Sequence, residues 1–228
     1  MARLAPLLVK TKRFTPKNWN TMNPLDFKPT RAGHFIGPAR DMSAVLDRIV
    51  ARSTPKGTPI KLMLQGDPGI GKSALVDYLL PQLGADQWSV TKYNGTQLTI
   101  DRLEDWASRL CYRELSGGYK VLRVEELDKA SAAAQVRMLT VMDDLPDHVA
   151  IIGTSNKQVK DMDPRFQSRF QVFQLKGPTQ DELTKFLQQW PLDASAIARI
   201  AFAACGNVRL ALFDAQSELD ATLSLEVA

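Results

Sequence analysis

The stretch Gly66-Asp67-Pro68-Gly69-Ile70-Gly71-Lys72-Ser73 constrains this chain more than any other. It satisfies G-x-x-x-x-G-K-[S/T] and lies between "PIKLMLQ", an apolar run of buried-strand type, and "KSALVDYLL", a helical pattern that stops ahead of Pro81. The spacing has a mechanical reason. Glycines let the backbone turn tightly enough for successive N–H groups to point inward, and the helix that follows adds its positive dipole end. Lys72 brings a point charge to outer phosphates and Ser73 a hydroxyl for Mg2+. Asp67, Pro68, Gly69, Ile70, Gly71, Lys72, Ser73 and Ala74 are therefore expected to hold a nucleotide. The opposing reading, a glycine-rich turn without a ligand, requires motif and placement to coincide by chance.

The text around this loop alternates. "PARDMSAVLDRIVARS" sets Met42, Val45, Leu46, Ile49 and Val50 on one helical face, with Pro38 suited to its start. After the loop and its helix come a strand "WSVTKYN", a helix over "TIDRLEDWASRLCYREL", a strand "YKVLRVEELD", a helix over "AAAQVRMLTVMDDL", and strands "VAIIGTSN" and "RFQVFQL". Strands separated by crossover-length helices predict an α/β fold: a parallel five-stranded sheet with helices on both faces. From Lys176 onward three helical patterns follow with no strand between them, Thr179 and Asp193 being candidate N-caps, so a small all-helical domain closes the sequence. The expected division is a basic extended arm over 1–33, a nucleotide-binding core over 34–176 and a helical lid over 177–228.

With 228 residues, 44% hydrophobic and 24% charged, the chain can bury a real core, which excludes global disorder. Its longest apolar runs are too short to cross a bilayer, and the N-terminus lacks a long apolar segment with a cleavage site, so no membrane contact and a cytoplasmic setting are expected. Cys111 and Cys205 stand far apart outside any metal-binding spacing and read as core thiols; Trp19, Trp88, Trp106 and Trp190 read as core as well. Charge is uneven: residues 1–59 carry eleven Lys or Arg against three Asp, net +8, and leave −4 for the remainder. Such a bias suits phosphate backbones or an acidic partner, or a solvated leader.

A phosphate loop alone does not separate kinases, switch GTPases and motor ATPases, so the later strands decide. "VLRVEELD" ends its strand at Glu125 and Glu126, where nucleotide hydrolases hold one carboxylate to Mg2+ and use a second on the attacking water. "IIGTSN" ends at Asn156, an amide able to hold that water; "DMDPRFQSRF" carries Arg169 and "GNVRLAL" carries Arg209. In this order the motifs resemble an AAA+ ATPase, and within that superfamily the clamp-loader small-subunit group, relatives of replication factor C and DnaX. "GDPGIGKS" is similar to its phosphate loop, "VEELDKASAAAQ" to its "DEADxxxxxAQ" segment, "GTSN" to its first sensor, "SRF" to its arginine finger and "GNVRLAL" to its second sensor. "RFTPKNW" at 13–19 and "FIG" at 35–37 resemble the stretch before the adenine pocket and the pocket's hydrophobic-Gly element, and the likeness runs over roughly residues 13–220.

The resemblance implies ATP and Mg2+ between core and lid. Ile36 and Gly37 would lie at the base, Lys72 and Ser73 on phosphates and Mg2+, Glu125 on Mg2+, Glu126 as the catalytic carboxylate, Asn156 on the water, and Arg209 on the γ-phosphate from the lid. Arg169 would reach a neighbouring subunit's nucleotide, with Arg165 as the next candidate, so homo-oligomers or related AAA+ subunits are implied as partners. Grip on DNA is implied too, with Lys129 and Arg137 near the helix that faces the channel. Two departures qualify this: Glu125 replaces the usual Asp, which points to slow hydrolysis, and no counterpart of the family's collar domain is expected within residues 1–228. Arg123 also interrupts an otherwise apolar strand, and a central position there needs a carboxylate partner. The expected function is an ATPase acting on DNA in clamp loading, initiation, helicase loading or transposition control. The alternative is an ATP-binding scaffold or switch with little turnover that organises a protein partner; a small-molecule kinase fits the sensor and finger motifs less well.

Overall fold

The computed structural model describes residues 23–53, 57–113, 117–157 and 164–226. Five strands, β1 (Ile60–Gln65), β2 (Val90–Asn94), β3 (Lys120–Glu125), β4 (Val149–Ser155) and β5 (Gln171–Gln174), form one parallel sheet in the order β2-β3-β4-β1-β5. Side-chain alternation divides the sheet's core between its two faces. In β1, Ile60, Leu62 and Leu64 pack on one face and Met63 on the other; in β4, Ala150 and Ile152 oppose Val149 and Ile151 in the same way. Both faces are apolar, so both need a helical cover.

One face is covered by α1 (Gly37–Ser53), through Leu46, Ile49 and Val50, and by α2 (Lys72–Leu79), through Leu75, Val76 and Leu79. The other is covered by α3 (Ile100–Ser108), α4 (Ala132–Asp143) and the short α5 (Pro164–Arg169), through Leu103, Trp106, Met138, Met142 and Phe166. The helix after β1 thus lies on one side and the helix after β4 on the other, while the two strands are neighbours in register from Ile60↔Ala150 to Gln65↔Ser155. The carboxyl ends of β1 and β4 therefore open a crevice of the kind in which α/β sheets hold ligands. Three further helices, α6 (Gln180–Leu187), α7 (Ala194–Ala204) and α8 (Val208–Glu226), enclose a separate cluster around Leu183, Phe186, Trp190, Ile197, Ile200 and Ala211.

Several expectations need correction. The helix expected over 99–115 ends at Ser108, because Arg109 and Leu110 close it with turn bonds to Trp106 and Ala107 and Leu110 folds into the core. α5 was not expected; it forms where Phe166 can bury beside Phe170, with their rings stacked at 5.7 Å. Of the segment expected to be an extended arm, residues 1–22, with Trp19 and "RFTPKNW", lie outside the described residues. Residues 24–26 and 32–34 are single 3-10 turns, and Phe27 packs edge-on against Phe186 at 5.3 Å and Trp190 at 6.1 Å, joining the helical cluster. Both cysteines are exposed: Cys111 lies in the turn after α3 and Cys205 occupies the left-handed position that ends α7. Trp106 and Trp190 are buried, but Trp88 is 82% exposed in the turn before β2. No helix among the described residues is long and apolar enough to cross a membrane.

Candidate nucleotide site

The phosphate loop bridges β1 and α2, and its lysine is the buried centre of the site. Lys72 Nζ donates to the carbonyls of Gly66 and Asp67, both at 2.7 Å, and to Oδ1 of Asn156 at 2.9 Å. Burial pushes its pKa down; Asp67 opposes this and Arg209 adds to it. The ammonium thus joins the end of β1 to the end of β4. Asn156 Nδ2 in turn faces Glu126 Oε1 at 3.4 Å, and its backbone N–H donates to Asp128 at 3.2 Å.

Glu126 follows β3 in left-handed backbone conformation, φ 53°, uncommon for a residue with a side chain. Its N–H donates to Thr154 Oγ1 at 3.2 Å, which anchors the turn to β4. Its Oε2 accepts from Lys129 Nζ at 2.9 Å and from Asn94 Nδ2 at 3.2 Å, and these bonds, Lys129 first, hold the carboxyl below its usual range. Asn94 ends β2 in register with Glu125, and Gly95 follows because a Cβ there would sit 2.1 Å from the Glu126 carbonyl. Motif spacing contained no signal for Asn94; only strand register reveals it.

Glu125 shares a sheet face with Arg123, two residues earlier. Arg123 is buried, its side chain 6% exposed, and binds Asp77 on α2 and Glu125 Oε1, the latter at 2.6 Å. The expectation of a carboxylate partner for Arg123 is met twice. Burial pushes the Glu125 carboxyl upward, but Arg123 and Lys92 outweigh it and keep the group below its usual range.

The helical cluster reaches the loop from outside. The backbone N–H of Arg209 donates to the Gly69 carbonyl at 3.1 Å, and Asn207 caps α8 through a bond from Leu210 N at 3.1 Å. A Cβ on Gly69, whose φ is 81°, would stand 1.9 Å from Asn207 Oδ1. Between these parts lies a cavity of about 460 Å³, within the usual range for small-molecule sites. Pro68, Gly69, Ile70, Gly71, Lys72, Ser73 and Ala74 line one side, with Glu125, Glu126 and Asn156, while Phe35, Ile36, Phe186, Val208 and Leu212 supply apolar lining, and His34 and Arg209 also line the cavity. Asp67 and Gly37 are beside this wall rather than in it: Asp67 contributes the carbonyl bound by Lys72, and Gly37 starts α1.

Arg169 is not in the cavity. Its guanidinium meets Asp143 at the end of α4, Nε to Oδ1 at 2.7 Å and Nη2 to Oδ2 at 2.8 Å. Lys129 is paired with Glu126, and Arg137 Nε lies 3.3 Å from Glu104, so both basic residues expected near the channel helix have acidic partners in this chain.

A cavity with a cationic, amide-rich end and an apolar end fits a nucleoside triphosphate. Ser73 and Glu125 line the same cavity and supply the hydroxyl and carboxylate oxygens that Mg2+ takes beside phosphate, although both Glu125 oxygens are here paired with Arg123 and Lys92.

The family model for AAA, the ATPase family associated with various cellular activities, matches residues 62–178, from β1 to just past β5. The chain belongs to the AAA family of ATPases. Solved structures of RuvB from Thermotoga maritima share the fold. One, of the Holliday junction branch migration motor, has a TM-score of 0.71 at 20% identity and covers 90% of this chain and 68% of that one. Two RuvB point mutants give 0.72 at 20% identity, over 90% and 68%, and 0.71 at 19%, over 88% and 68%. At such identity the likeness speaks for fold alone. No curated protein matches the sequence. This AAA protein is an ATPase with a five-stranded parallel sheet and a helical C-terminal region.

Proposed function

We propose that the chain binds ATP with Mg2+ in the cavity between the sheet and α8, and hydrolyses it at interfaces between copies of itself or related AAA subunits while acting on DNA. The observation that carries this reading is the Lys72 cluster: one buried ammonium joins the phosphate loop to Asn156, which touches Glu126. Lys72 neutralises phosphate charge, Ser73 and Glu125 hold Mg2+, and the loop amides orient the chain of phosphates. When bound, Mg2+ supplies charge neutralisation on the phosphate oxygens. Glu126 accepts a proton from the attacking water, which the Asn156 amide orients. Arg209 contributes charge from α8, so closure of the helical region is sensed at the reaction centre. Ile36 contributes to the base end and Gly37 starts the helix beside it, in a division with an arm over 1–33, a core over 34–176 and a lid over 177–228.

Arg169 completes a neighbour's site, and the Asp143 pair holds it ready in the isolated chain. Loss of such a finger lowers turnover by about 10³ to 10⁵ in nucleotide hydrolases. DNA as substrate is supported by the basic bias of residues 1–59; clamp-loader-like, initiation, helicase-loading and transposition-control roles all fall within it. The second reading, an ATP-held scaffold, is favoured by the cations on Glu125 and the lowered basicity of Glu126.

Calorimetry with Mg-ATP and an ATPase assay across protein concentration test the proposal. Lys72→Ala is expected to abolish binding, and specific activity to rise with concentration in wild type but not in Arg169→Ala. Equal binding by Lys72→Ala would remove the site; flat activity would remove the shared interface. ATP-dependent, salt-sensitive DNA binding separates the motor from the scaffold, which would retain ATP without turnover or DNA.

A further inference from the structure

Both oxygens of Glu125 are held by cations. Arg123 Nη2 donates to Oε1 at 2.6 Å, and Lys92 Nζ lies 3.2 Å from Oε2. The two cations differ in kind. Arg123 is buried and anchored from below by Asp77, with the Ser73 carbonyl 3.5 Å from the same Nη2, so it ties β3 to the first turns of α2. Lys92 comes from the edge strand β2, in register with Arg123, and its side chain is 54% exposed. A buried guanidinium fixed by several acceptors stays in place; an exposed ammonium on a flexible stem is released easily.

The carboxylate at the end of β3 is thus charge-compensated where this chain would offer an oxygen to a divalent cation. We propose that Lys92 sets the Mg2+ affinity of the nucleotide site by competing for Glu125 Oε2, with Arg123 as the fixed positioning residue that keeps Oε1. The inference rests on the reading of the cavity as an Mg-nucleotide site. Neither residue belongs to the phosphate-loop or sensor motifs; the pairing follows from sheet register and from an arginine two residues before the acid. Its consequence is a site that takes nucleotide with weak help from Mg2+ until Lys92 lets go.

The test uses the whole chain and a fluorescent ATP analogue, mant-ATP, titrated with Mg2+ from EDTA-treated solution. Lys92→Met is expected to lower the Mg2+ concentration for half-maximal nucleotide binding by about fivefold, the size of one surface charge interaction at contact distance. Lys92→Arg, which keeps the positive charge, should not show this gain. In a Glu125→Gln background the Lys92→Met effect should vanish, because the contested oxygen is no longer charged. An unchanged Mg2+ dependence in Lys92→Met overturns the inference, as does an equal gain with Gln at 125, which would mark a long-range charge effect. If no variant binds mant-ATP at any Mg2+ concentration, the nucleotide reading falls with it; if all bind it with the same Mg2+ dependence, only the role of Lys92 falls.

Discussion

Gly69 shows how narrowly one residue is specified. Its left-handed backbone turns the phosphate loop, its carbonyl receives the Arg209 N–H, and its missing side chain admits the Asn207 amide. Gly69→Ala is expected to cost about 1–2 kcal/mol for the left-handed conformation alone, and to push α8 off the loop. Thermal unfolding would record the first effect and a raised KM for ATP the second. Glu126 is restrained differently. Asn94 and Lys129 hold Oε2 of the carboxylate proposed to activate water, so Asn94→Ala should leave it on Lys129 alone and raise basal turnover a few-fold. A steady-state ATPase assay checks this, and lower turnover would mean that Asn94 positions the group rather than restrains it. The loop, Glu126 and Asn156 were legible from motif spacing; Asn94, Asn207 and Lys92 were not, because each is brought in by a partner distant in sequence.

At the level of elements, the strands and most helices follow from local pattern, and the ends are where pattern fails. Thr179 caps α6 through a bond from Glu182 N at 3.3 Å, with the Glu182 carboxylate returned to Thr179 N at 2.8 Å. Asp193 stands at the same position of α7 but makes no capping bond. Thr179→Ala is therefore expected to cost about 1 kcal/mol and Asp193→Ala much less, as chemical denaturation would measure. Within β3, Arg123→Met should destabilise the chain by about 1–3 kcal/mol, less than for a fully buried ion pair because Asp77 is largely exposed. Lys92→Met, which removes a half-exposed ion pair with Glu125, should leave the denaturation midpoint nearly unchanged.

Across the whole molecule, the parts meet at a single seam. The ends of β1, β3 and β4 supply charge, the residues around Ile36 supply an apolar wall, and α8 closes against the loop. Arg169 sits elsewhere, bound to Asp143 within its own chain. If its partner in the assembly is a neighbour's nucleotide, Asp143→Asn should favour the exchange, and specific ATPase activity should rise at lower protein concentration than in wild type; an unchanged concentration profile would make the pair merely structural. Periodicity and motif spacing by themselves determined the alternation of strands and helices, the phosphate loop and the acids at the end of β3, because these depend on residues close in sequence. Tertiary structure alone decided that Phe27 joins the helical cluster, that Cys111, Cys205 and Trp88 face solvent, and that Arg123 and Lys92 converge on Glu125. The physical reason is that burial and charge pairing act between residues the fold brings together, and in a parallel sheet those residues are separated in sequence by whole crossover connections.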